Sequence, residues 1–318
     1  MRAFRRNYRA KGCSCLSLFT FLFPLLLVSF LLPSCSERQE PVQQEADSVV
    51  VDTTVLRVAV MPAMNCLPVY YAKQSGLSDS LGLDISLVRY QAQMDIDTAI
   101  LRGHADIAFT DLIRCAGLSK QGAQIVPFAS CDEALSLISL DTKRVKTVGQ
   151  MKEQMIAVSR LSATDYWCDR LLDSSRIAHE DIYRPQVNDV WLRAEMVRQG
   201  LVDAAIVGEP FATWLATLGH KRLFQTKGKR PHLYAWANVS ATKQQQKDFL
   251  SLLDSALSHM NKEGEAALLR DILKQEYHLP PAVADSIALP PPGHTSPVDE
   301  KEAQAAGEWL RKATRIKK

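Results

Sequence analysis

Polar side chains recur directly after the short apolar runs of this sequence, and their types suit hydrogen bonding to a small polar molecule. Asn65 carries both a donor and an acceptor, although an asparagine at such a place also caps helices. Tyr90 could stack on a planar ring or donate its hydroxyl, and it could equally pack in the core. The candidates in the first part of the chain are Asn65, Tyr90, Thr110, Asp111 and Ser130.

A second group of candidates lies further along the chain. Ser162, Thr164 and Asp165 precede a helical pattern, where free N–H groups and the positive dipole end could hold a carboxylate, sulfonate or phosphate. The alternative for these three residues is ordinary capping of that helix. Glu209 follows another apolar run, and Trp214, one helical turn later, either lines the same site or belongs to the core.

The charges of these candidates bear on the ligand. Asp111 and Glu209 would accept hydrogen bonds from a ligand with N–H donors, such as an aminopyrimidine. The alternative for Asp111 is that it only caps the helix that follows it. An anionic ligand would instead require an arginine fork, for which Arg114 and Arg160 are available unless both are surface residues. The sequence does not decide between a ligand with N–H donors and an anionic ligand.

The motifs of common catalytic and metal sites are missing from the sequence. There is no G-x-S-x-G, P-loop or H-E-x-x-H motif, and the seven histidines are scattered. We therefore expect no catalytic residue, no metal and no cofactor. The cysteines after the first 35 residues form no C-x-x-C pair. A Cys66–Cys115 disulfide is one alternative, but we favour four buried thiols at Cys66, Cys115, Cys131 and Cys168.

The first 34 residues have the features of an export signal. Residues 1–11 are cationic, residues 12–32 carry no charge, and Leu32-Pro33-Ser34-Cys35 closes the segment. This pattern resembles a bacterial lipoprotein signal peptide, which implies cleavage before Cys35 and lipidation of that cysteine. The alternative is an uncleaved membrane anchor. Both alternatives place the folded part outside the cytoplasm, in the cell envelope, with periplasmic or surface exposure left open.

Composition excludes two broad classes of protein. The 318 residues carry a net charge of +3 and are 47% hydrophobic, which is ample for a folded core and rules out intrinsic disorder. Without the first 34 residues, 33 basic residues face 35 acidic ones, a net charge of −2. A nucleic-acid-binding surface requires positive charge, so nucleic acid is not an expected partner.

Short apolar runs alternate with helical patterns after residue 55, in two successive series. Runs of this kind are typical of parallel strands that are buried on both faces. The predicted strands are 56–60, 85–90, 106–110, 124–128, 155–159, 183–188 and 202–207. The predicted helices are 67–75, 94–102, 112–121, 162–173, 190–199 and 211–218. Two such series predict an α/β fold with two lobes, each with a mostly parallel sheet flanked by helices.

The same pattern predicts how the chain is divided. A polar tether separates the signal from the first lobe, and two stretches cross between the lobes before a helical C-terminal part packs on lobe 1. The expected boundaries are 1–34 for the signal peptide, 35–54 for the tether, 55–133 for the first part of lobe 1, 134–140 for the hinge crossing, 141–231 for lobe 2, 232–240 for the return crossing and 241–318 for the C-terminal part.

Four segments resemble a known family. Residues 61–77 are similar to the P-x-x-N/L-x-x-P-x-Y-x-A-x-x-x-G opening of ABC-transporter solute-binding proteins for nitrate, sulfonates, taurine and thiamine-pyrimidine precursors. Residues 82–85, 99–108 and 199–211 follow in family order and spacing, the last similar to G-x-V-D-A-A-x-x-x-E-P. The segment around Ser159 to Asp165 departs from the family's glycine or serine cluster. The resemblance implies a type II periplasmic binding protein fold and makes Glu209 the strongest ligand-binding candidate.

The resemblance also implies a function. We expect a monomeric, lipid-anchored solute receptor, not an enzyme, that closes two lobes over a small polar solute and delivers it to an ABC permease in the membrane. One alternative is a lyase or dehydratase with the same fold acting on a small carboxylic acid. Another is a ligand-sensing ectodomain that signals to a membrane partner, because fold alone does not separate these functions.

Overall fold

The chain folds into two β-sheets with helices on their faces. A computed structural model describes residues 55–131, 133–290 and 293–315. The strands are β1 (Leu56–Val60), β2 (Ile85–Arg89), β3 (Ile107–Asp111), β4 (Val126–Cys131), β5 (Ser136–Ser139), β6 (Ile156–Ala157), β7 (Ala204–Val207), β8 (Lys221–Gln225) and β9 (Tyr234–Asn238). The helices are α1 (Leu67–Gln74), α2 (Leu77–Ser80), α3 (Gln93–Leu101), α4 (Leu112–Lys120), α5 (Ala163–Ser175), α6 (Val190–Arg198), α7 (Phe211–Thr217), α8 (Lys243–His259), α9 (Ala266–Gln275), α10 (Pro281–Ser286) and α11 (Glu300–Arg315).

Each sheet contains one strand that runs against the others. The first sheet has the order β2-β1-β3-β9-β4, and only β9 is antiparallel to its neighbours. The second sheet has the order β6-β7-β5-β8, and only β5 is antiparallel. We call the first sheet with its helices lobe 1 and the second lobe 2. The α/β class and the two mostly parallel sheets are as predicted from the sequence.

The two antiparallel strands are the ones that follow a crossing between the lobes. β5 lies within the stretch 134–140 and β9 within 232–240, the two stretches expected to cross. Both stretches therefore consist mostly of β-strand. The chain passes from one lobe to the other in the short connections after β4 and after β8. An apolar run alone does not distinguish a linker from a central strand, because both pass through the interior.

The predicted strand at 183–188 does not form as a full strand. Tyr183 and Gln186 make only isolated parallel bridges to Met155 and Val158 beside β6. Pro185 stands between them and has no N–H to donate, so a continuous ladder is interrupted there. The segment still borders the second sheet as an irregular edge.

The helices begin and end at residues that the sequence marks. Pro68 lies in the first turn of α1, and Asp189 caps α6 by accepting a hydrogen bond from the backbone N–H of Leu192 at 2.8 Å. Gly200, with φ of 71°, follows α6 in the left-handed conformation that glycine adopts without steric cost. These signals explain why predicted and observed helices agree to within about two residues.

The C-terminal helices pack mainly on lobe 1 but also reach lobe 2. α8 and α9 pack against α1, and α11 packs against α4. The indole N–H of Trp309 in α11 donates to the Asp169 carboxylate in α5 at 2.9 Å. The last helix therefore contacts both lobes. None of the helices in the ranges described above is long and apolar enough to cross a membrane.

Buried side chains form two large clusters. One surrounds the first sheet, includes Trp236 and Phe249, whose ring centroids are 5.1 Å apart, and extends to the second sheet through residues such as Val207. The other surrounds the second sheet and α5, with Trp167 and Leu172 among its members. Cys66, Cys115, Cys131 and Cys168 are buried free thiols, so no Cys66–Cys115 disulfide is formed. The predicted signal peptide, tether and lipidated Cys35 lie outside the described residues.

Candidate functional site

Asp111 lies at the carboxyl end of β3, where the two lobes meet. Its Oδ1 accepts hydrogen bonds from the backbone N–H groups of Ile113 and Arg114, both at 3.0 Å, which caps α4. Its Oδ2 accepts from the backbone N–H of Ala163 in lobe 2 at 3.2 Å. Burial raises the pKa of Asp111 to about 6, and the nearby Arg114 charge opposes that shift. Both oxygens of the carboxylate therefore have hydrogen-bond partners, one set in the cap of α4 and the other across the two lobes.

Arg114 extends this connection between the lobes. Its side chain is only 8% exposed and forms an ion pair with Asp97 of α3. Its Nη2 donates to Ser159 Oγ of lobe 2 at 2.8 Å. Of the two alternatives given for Arg114 in the sequence, a surface position is wrong. Its guanidinium already has partners within the chain.

Glu133 is a buried acid in the first crossing between the lobes, and the sequence analysis missed it. Asn65, in the turn after β1, donates from Nδ2 to Glu133 Oε2 at 2.6 Å. The turn itself is held by Tyr277, whose hydroxyl donates to Ala63 O at 2.8 Å. Gly208, just after β7, leaves room for the carboxylate, because a Cβ there would lie 2.6 Å from Glu133 Oε1. Strand ends of both lobes thus converge on this side chain.

The environment of Glu133 favours its protonated form. Burial raises its pKa to about 8, and the negative charge of Glu209 adds to that shift. The side chain of Asn65 and the backbone N–H groups of Asn65 and Glu209 favour the charged form, but they offset burial only in part. The sequence did contain a signal for this residue, because Glu133 is an acidic residue that follows strand β4 by two positions.

Arg193 is a second buried charged residue that the sequence analysis missed. It is 3% exposed in α6, and its Nη1 donates to Val187 O at 2.7 Å. Within the described ranges no carboxylate lies within ion-pair distance of it. Burial lowers its pKa to about 10, whereas Tyr234 and Asp189 favour its charged form. The sequence did contain a signal for this burial. Arg193 lies three residues after Val190 and four before Val197, so it shares an apolar helix face with them.

Aromatic side chains stand close to these charges. Tyr234 stacks on Phe109 with ring centroids 5.5 Å apart and an interplanar angle of 6°. Trp214 stacks on Trp191 of α6 at 6.3 Å. Trp214 itself is buried, so both alternatives given for it, core residue and site wall, are consistent with its position. The half-buried Tyr90 makes a backbone hydrogen bond to Val60 O at 2.9 Å.

Glu209 lies next to Glu133 along the cleft, but its carboxylate has partners within lobe 2. Oε2 accepts from the backbone N–H of Thr213 at 3.0 Å, and Oε1 accepts from Arg222 Nη2 at 3.0 Å. Both oxygens are engaged at the start of α7. This geometry matches a capping and ion-pairing role, although the main chain of Glu209 still approaches Glu133.

The remaining candidates have partners within the chain as well. Ser162 Oγ donates to Ser159 O at 2.6 Å, and Thr164 Oγ1 accepts from Ser159 N–H at 2.9 Å. Asp165 accepts from Leu161 N–H at 2.9 Å and pairs with Arg184. Thr110 accepts from Gln93 at 3.2 Å, and the backbone of Ser130 bonds Ser296 O at 2.8 Å. These side chains shape the loops around the cleft.

Several buried polar atoms without a hydrogen-bond partner belong to residues that contact both lobes, such as Gln91, Arg114 and Glu133. A native interior leaves few such atoms, and those present commonly mark a ligand or water position. In the described part of the chain they include Gln91 Oε1, Gln93 Oε1, Asp97 Oδ1, Arg114 Nε, Glu133 Oε1, Arg160 Nε and Arg193 Nε. A recess of about 410 Å³ between α3, α4 and residues 160–161 adjoins Arg114. The described residues contain no His, Cys, Asp and Glu group suited to a metal ion.

Solved structures of other proteins share this architecture. The alkanesulfonate-binding protein SsuA from Xanthomonas axonopodis pv. citri has a TM-score of 0.70 and 21% identity, covering 82% of this chain and 93% of its own. The nitrate-binding protein NrtA from Synechocystis has a TM-score of 0.65 and 13% identity, covering 82% and 81%. A Candida albicans gene product described as having the generic periplasmic binding protein fold has a TM-score of 0.60 and 14% identity, covering 82% and 90%. The chain has the periplasmic binding protein fold.

The sequence itself matches one family. The profile of the family described as "NMT1/THI5 like" matches residues 63–222, which is half of the chain. The chain belongs to the NMT1/THI5-like family. No curated protein sequence matches it significantly. The family resemblance and the fold class expected from the sequence are thereby confirmed.

Proposed function

We propose that this chain is the extracytoplasmic solute-binding component of an ABC importer. It captures a small polar solute between its two lobes and passes the solute, chemically unchanged, to a permease in the membrane. The observation that carries this proposal is the convergence of buried polar and charged side chains from both lobes at one point. Ligands of two-lobed α/β proteins bind where the carboxyl ends of the strands face one another.

The contacts between the lobes support a closing mechanism. Ala163 N–H donates to Asp111 across the cleft, Arg114 donates to Ser159, and Val190 N–H donates to Gln91 O at 3.2 Å. A ligand held by groups from both lobes would favour this closed arrangement over an open one. The similar structures include binding proteins for alkanesulfonates and nitrate, both small polar solutes.

The anchoring belongs to the same proposal. Cleavage before Cys35 and its lipidation would hold the receptor at the membrane beside its permease, with residues 36–54 as a tether. A monomer is sufficient for this role, because one chain supplies both lobes of the cleft. Metabolic labelling with a fatty acid tests the anchor, since Cys35→Ala should abolish incorporation.

Thermal unfolding of the purified full chain tests the solute-binding role. Panels of sulfonates, phosphonates, nitrate, amino acids and pyrimidines are added at millimolar concentration, and each bound compound is recovered and analysed. At least one compound should raise the melting temperature in a concentration-dependent manner and be recovered intact. Stabilisation by none of them would contradict the proposal, and conversion of a compound would favour the enzyme alternative.

A further inference from the structure

Met94 of lobe 1 contacts lobe 2 through its thioether sulfur. The side-chain amides of Asn188 and Gln186, both in lobe 2, donate to Met94 Sδ at 2.7 and 3.5 Å. Met94 lies in the first turn of α3, so the sulfur joins a helix of one lobe to the irregular edge of the other sheet. Thioether sulfur is a weak acceptor, and two amide donors on one such atom are therefore an unusual way to hold two lobes together.

This contact closes a ring of polar interactions between the lobes. Asn188 Oδ1 accepts from Ser159 Oγ at 3.0 Å, and Ser159 Oγ accepts from Arg114 Nη2 of lobe 1 at 2.8 Å. Arg114 pairs in turn with Asp97 of α3, one helical turn after Met94. The ring therefore passes from α3 to lobe 2 and returns through α4, and it crosses between the lobes at Met94 and at Arg114.

Met94 is also the most exposed methionine in the described part of the chain. Its exposed fraction is 44%, and that of Met155 is 37%. Met94 lines the recess of about 410 Å³ beside Arg114, so a small molecule from the solvent can approach it. Met196 is half-buried, and the other described methionines are buried, namely Met61, Met64, Met151 and Met260.

We propose that Met94 is an oxidation site, and that its conversion to methionine sulfoxide by a peroxide weakens the contact between the lobes. In this two-electron step the O–O bond of hydrogen peroxide breaks and one oxygen forms a bond to Sδ. The other oxygen leaves as water with both protons, so the sulfur is oxidised and the peroxide is reduced. No solute takes part in this step, and it is independent of the proposed function.

The sulfoxide does not fit between the sulfur and the amide of Asn188. An oxygen on Sδ that accepts from this amide needs about 2.7–3.2 Å to the nitrogen. The sulfur itself lies 2.7 Å from that nitrogen, so the two atoms have to move apart. If the oxygen turns toward solvent instead, the sulfur carries a partial positive charge and repels the amide N–H groups. Both orientations weaken the crossing at Met94.

Met155 distinguishes this effect from methionine oxidation in general. Its exposure is similar, but its backbone bonds Asp203 and Ala204, both in lobe 2. Within the described residues no side chain of lobe 1 forms a hydrogen bond with its sulfur. Oxidation of Met155 therefore has no crossing between the lobes to weaken.

Nuclear magnetic resonance of the full chain tests the rate of oxidation. The methyl groups of the methionines are isotope-labelled, and the chain is treated with millimolar hydrogen peroxide in the absence of any solute. The methyl resonance of each methionine shifts when its sulfur becomes a sulfoxide. We expect Met94 and Met155 to be oxidised at least tenfold faster than the four buried methionines.

Hydrogen exchange of backbone N–H groups measures the contact between the lobes in the same sample. Two of these groups donate across the lobes, Ala163 to Asp111 and Val190 to Gln91. Oxidation should raise the exchange rate of both at least threefold. The N–H of Gln245, which caps α8 through Thr242 in the C-terminal part, is the control and should keep its rate.

Two variants and a reversal assign the effect to Met94. Met94→Leu has a similar volume and no sulfur, so peroxide should leave its exchange rates at Ala163 and Val190 unchanged. Met155→Leu is the matched control and should respond to peroxide as the native chain does. Methionine sulfoxide reductases with dithiothreitol should restore the native rates, because two thiols reduce the sulfoxide to the thioether and water and become a disulfide.

Three results would overturn the proposal. The first is an unchanged exchange rate at Ala163 and Val190 when Met94 is fully oxidised, and the second is an equal rise in peroxide-treated Met94→Leu. The third is oxidation of Met94 as slow as that of the buried methionines. A rise that includes Gln245 would also contradict it, because it would mean general unfolding. None of these results bears on solute binding, which the thermal unfolding panel tests separately.

Discussion

The carboxylate of Asp111 in lobe 1 accepts a hydrogen bond from the backbone N–H of Ala163 in lobe 2, with 3.2 Å between Oδ2 and the nitrogen. The same carboxylate caps α4 through its other oxygen. One side chain therefore fixes the start of a helix in lobe 1 and joins that helix to the start of α5. The contact between the lobes and the local order of lobe 1 therefore depend on the same side chain.

Replacement of Asp111 should weaken both folding and ligand binding. Asp111→Ala removes a helix cap, which typically costs about 1–2 kcal/mol of unfolding free energy. It also removes a hydrogen bond that joins the two lobes, so we expect ligand affinity to fall about fivefold, the equivalent of about 1 kcal/mol. Chemical denaturation and titration with a stabilising ligand measure the two effects.

Thr242 provides the control for the Asp111 variant. It caps α8 by accepting a hydrogen bond from Gln245 N–H at 3.2 Å, and it lies in the C-terminal part. Thr242→Ala should lower stability by about 1 kcal/mol with no change in affinity. If both variants left affinity unchanged, the Asp111–Ala163 bond would have no role in closure.

Removal of one partner from the buried ion pair of Arg114 and Asp97 should strongly destabilise the protein. Arg114→Ala leaves Asp97 without its counter-charge in the interior and should cost about 3–5 kcal/mol. The double variant Arg114→Met with Asp97→Leu should be much less destabilised, because it removes both charges together. Urea denaturation measures each variant, and a double variant at least as unstable as Arg114→Ala would refute this explanation.

The exposed pair of Arg311 and Glu308 is the control for that experiment. Both side chains are largely exposed, with 3.8 Å between the charged atoms, so solvent screens their attraction. Arg311→Ala should change the unfolding free energy by less than about 1 kcal/mol. The contrast with Arg114 isolates the effect of burial.

Glu133 should make the unliganded protein less stable as pH rises. Its folded pKa, about 8, is above its ordinary value, so the folded state retains the proton more tightly than the unfolded state. The unfolding free energy should therefore be higher at pH 5 and fall as pH rises toward 8. Glu133→Gln has no proton to lose, and its stability relative to the native chain should increase over the same range.

Thermal unfolding of both proteins between pH 5 and 8 measures that difference. Asp111 also has a raised pKa, at about 6, but it is present in both proteins and its contribution cancels. A constant difference between the two unfolding free energies across this range would mean that folding does not raise the pKa of Glu133.

Glu209 and Arg222 should stabilise lobe 2 as a pair. Both side chains are partly exposed and lie 3.0 Å apart, so a double-mutant cycle with alanine should give a coupling of about 0.5–1 kcal/mol. Because both oxygens of Glu209 are engaged, Glu209→Ala should lower the unliganded melting temperature and keep ligand-dependent stabilisation. Loss of ligand stabilisation without a lower unliganded melting temperature would instead place Glu209 in the binding site.

Much of the fold could be predicted from the sequence because its signals are local. Apolar runs located β1, β2, β3 and β7, and glycine at positions 103 and 200 marked the ends of α3 and α6. The strand at 183–188 was predicted in full because the sequence of this segment, with Pro185 in its middle, does not reveal whether it will pair along its whole length. β5 and β9 were placed in crossing segments, since their partners are distant in the sequence.

The site was less predictable than the fold. Strand ends identified Asn65 and Asp111, which do lie where the lobes meet. They allowed a capping role for Asp111, which it has, but they did not reveal that its other oxygen would bond Ala163 or that Asn65 would bond Glu133. Glu133 and Arg193 look like ordinary charged residues until their burial is known.

By itself, the amino-acid sequence determined the α/β class, the two series of strands and helices, and the family, because periodicity, helix ends and family motifs are properties of short segments. Only the tertiary structure decided which charged residues, such as Glu133 and Arg193, lie buried. That distinction depends on desolvation and on contacts between residues as far apart as Asn65 and Glu133, and neither is encoded in any single segment.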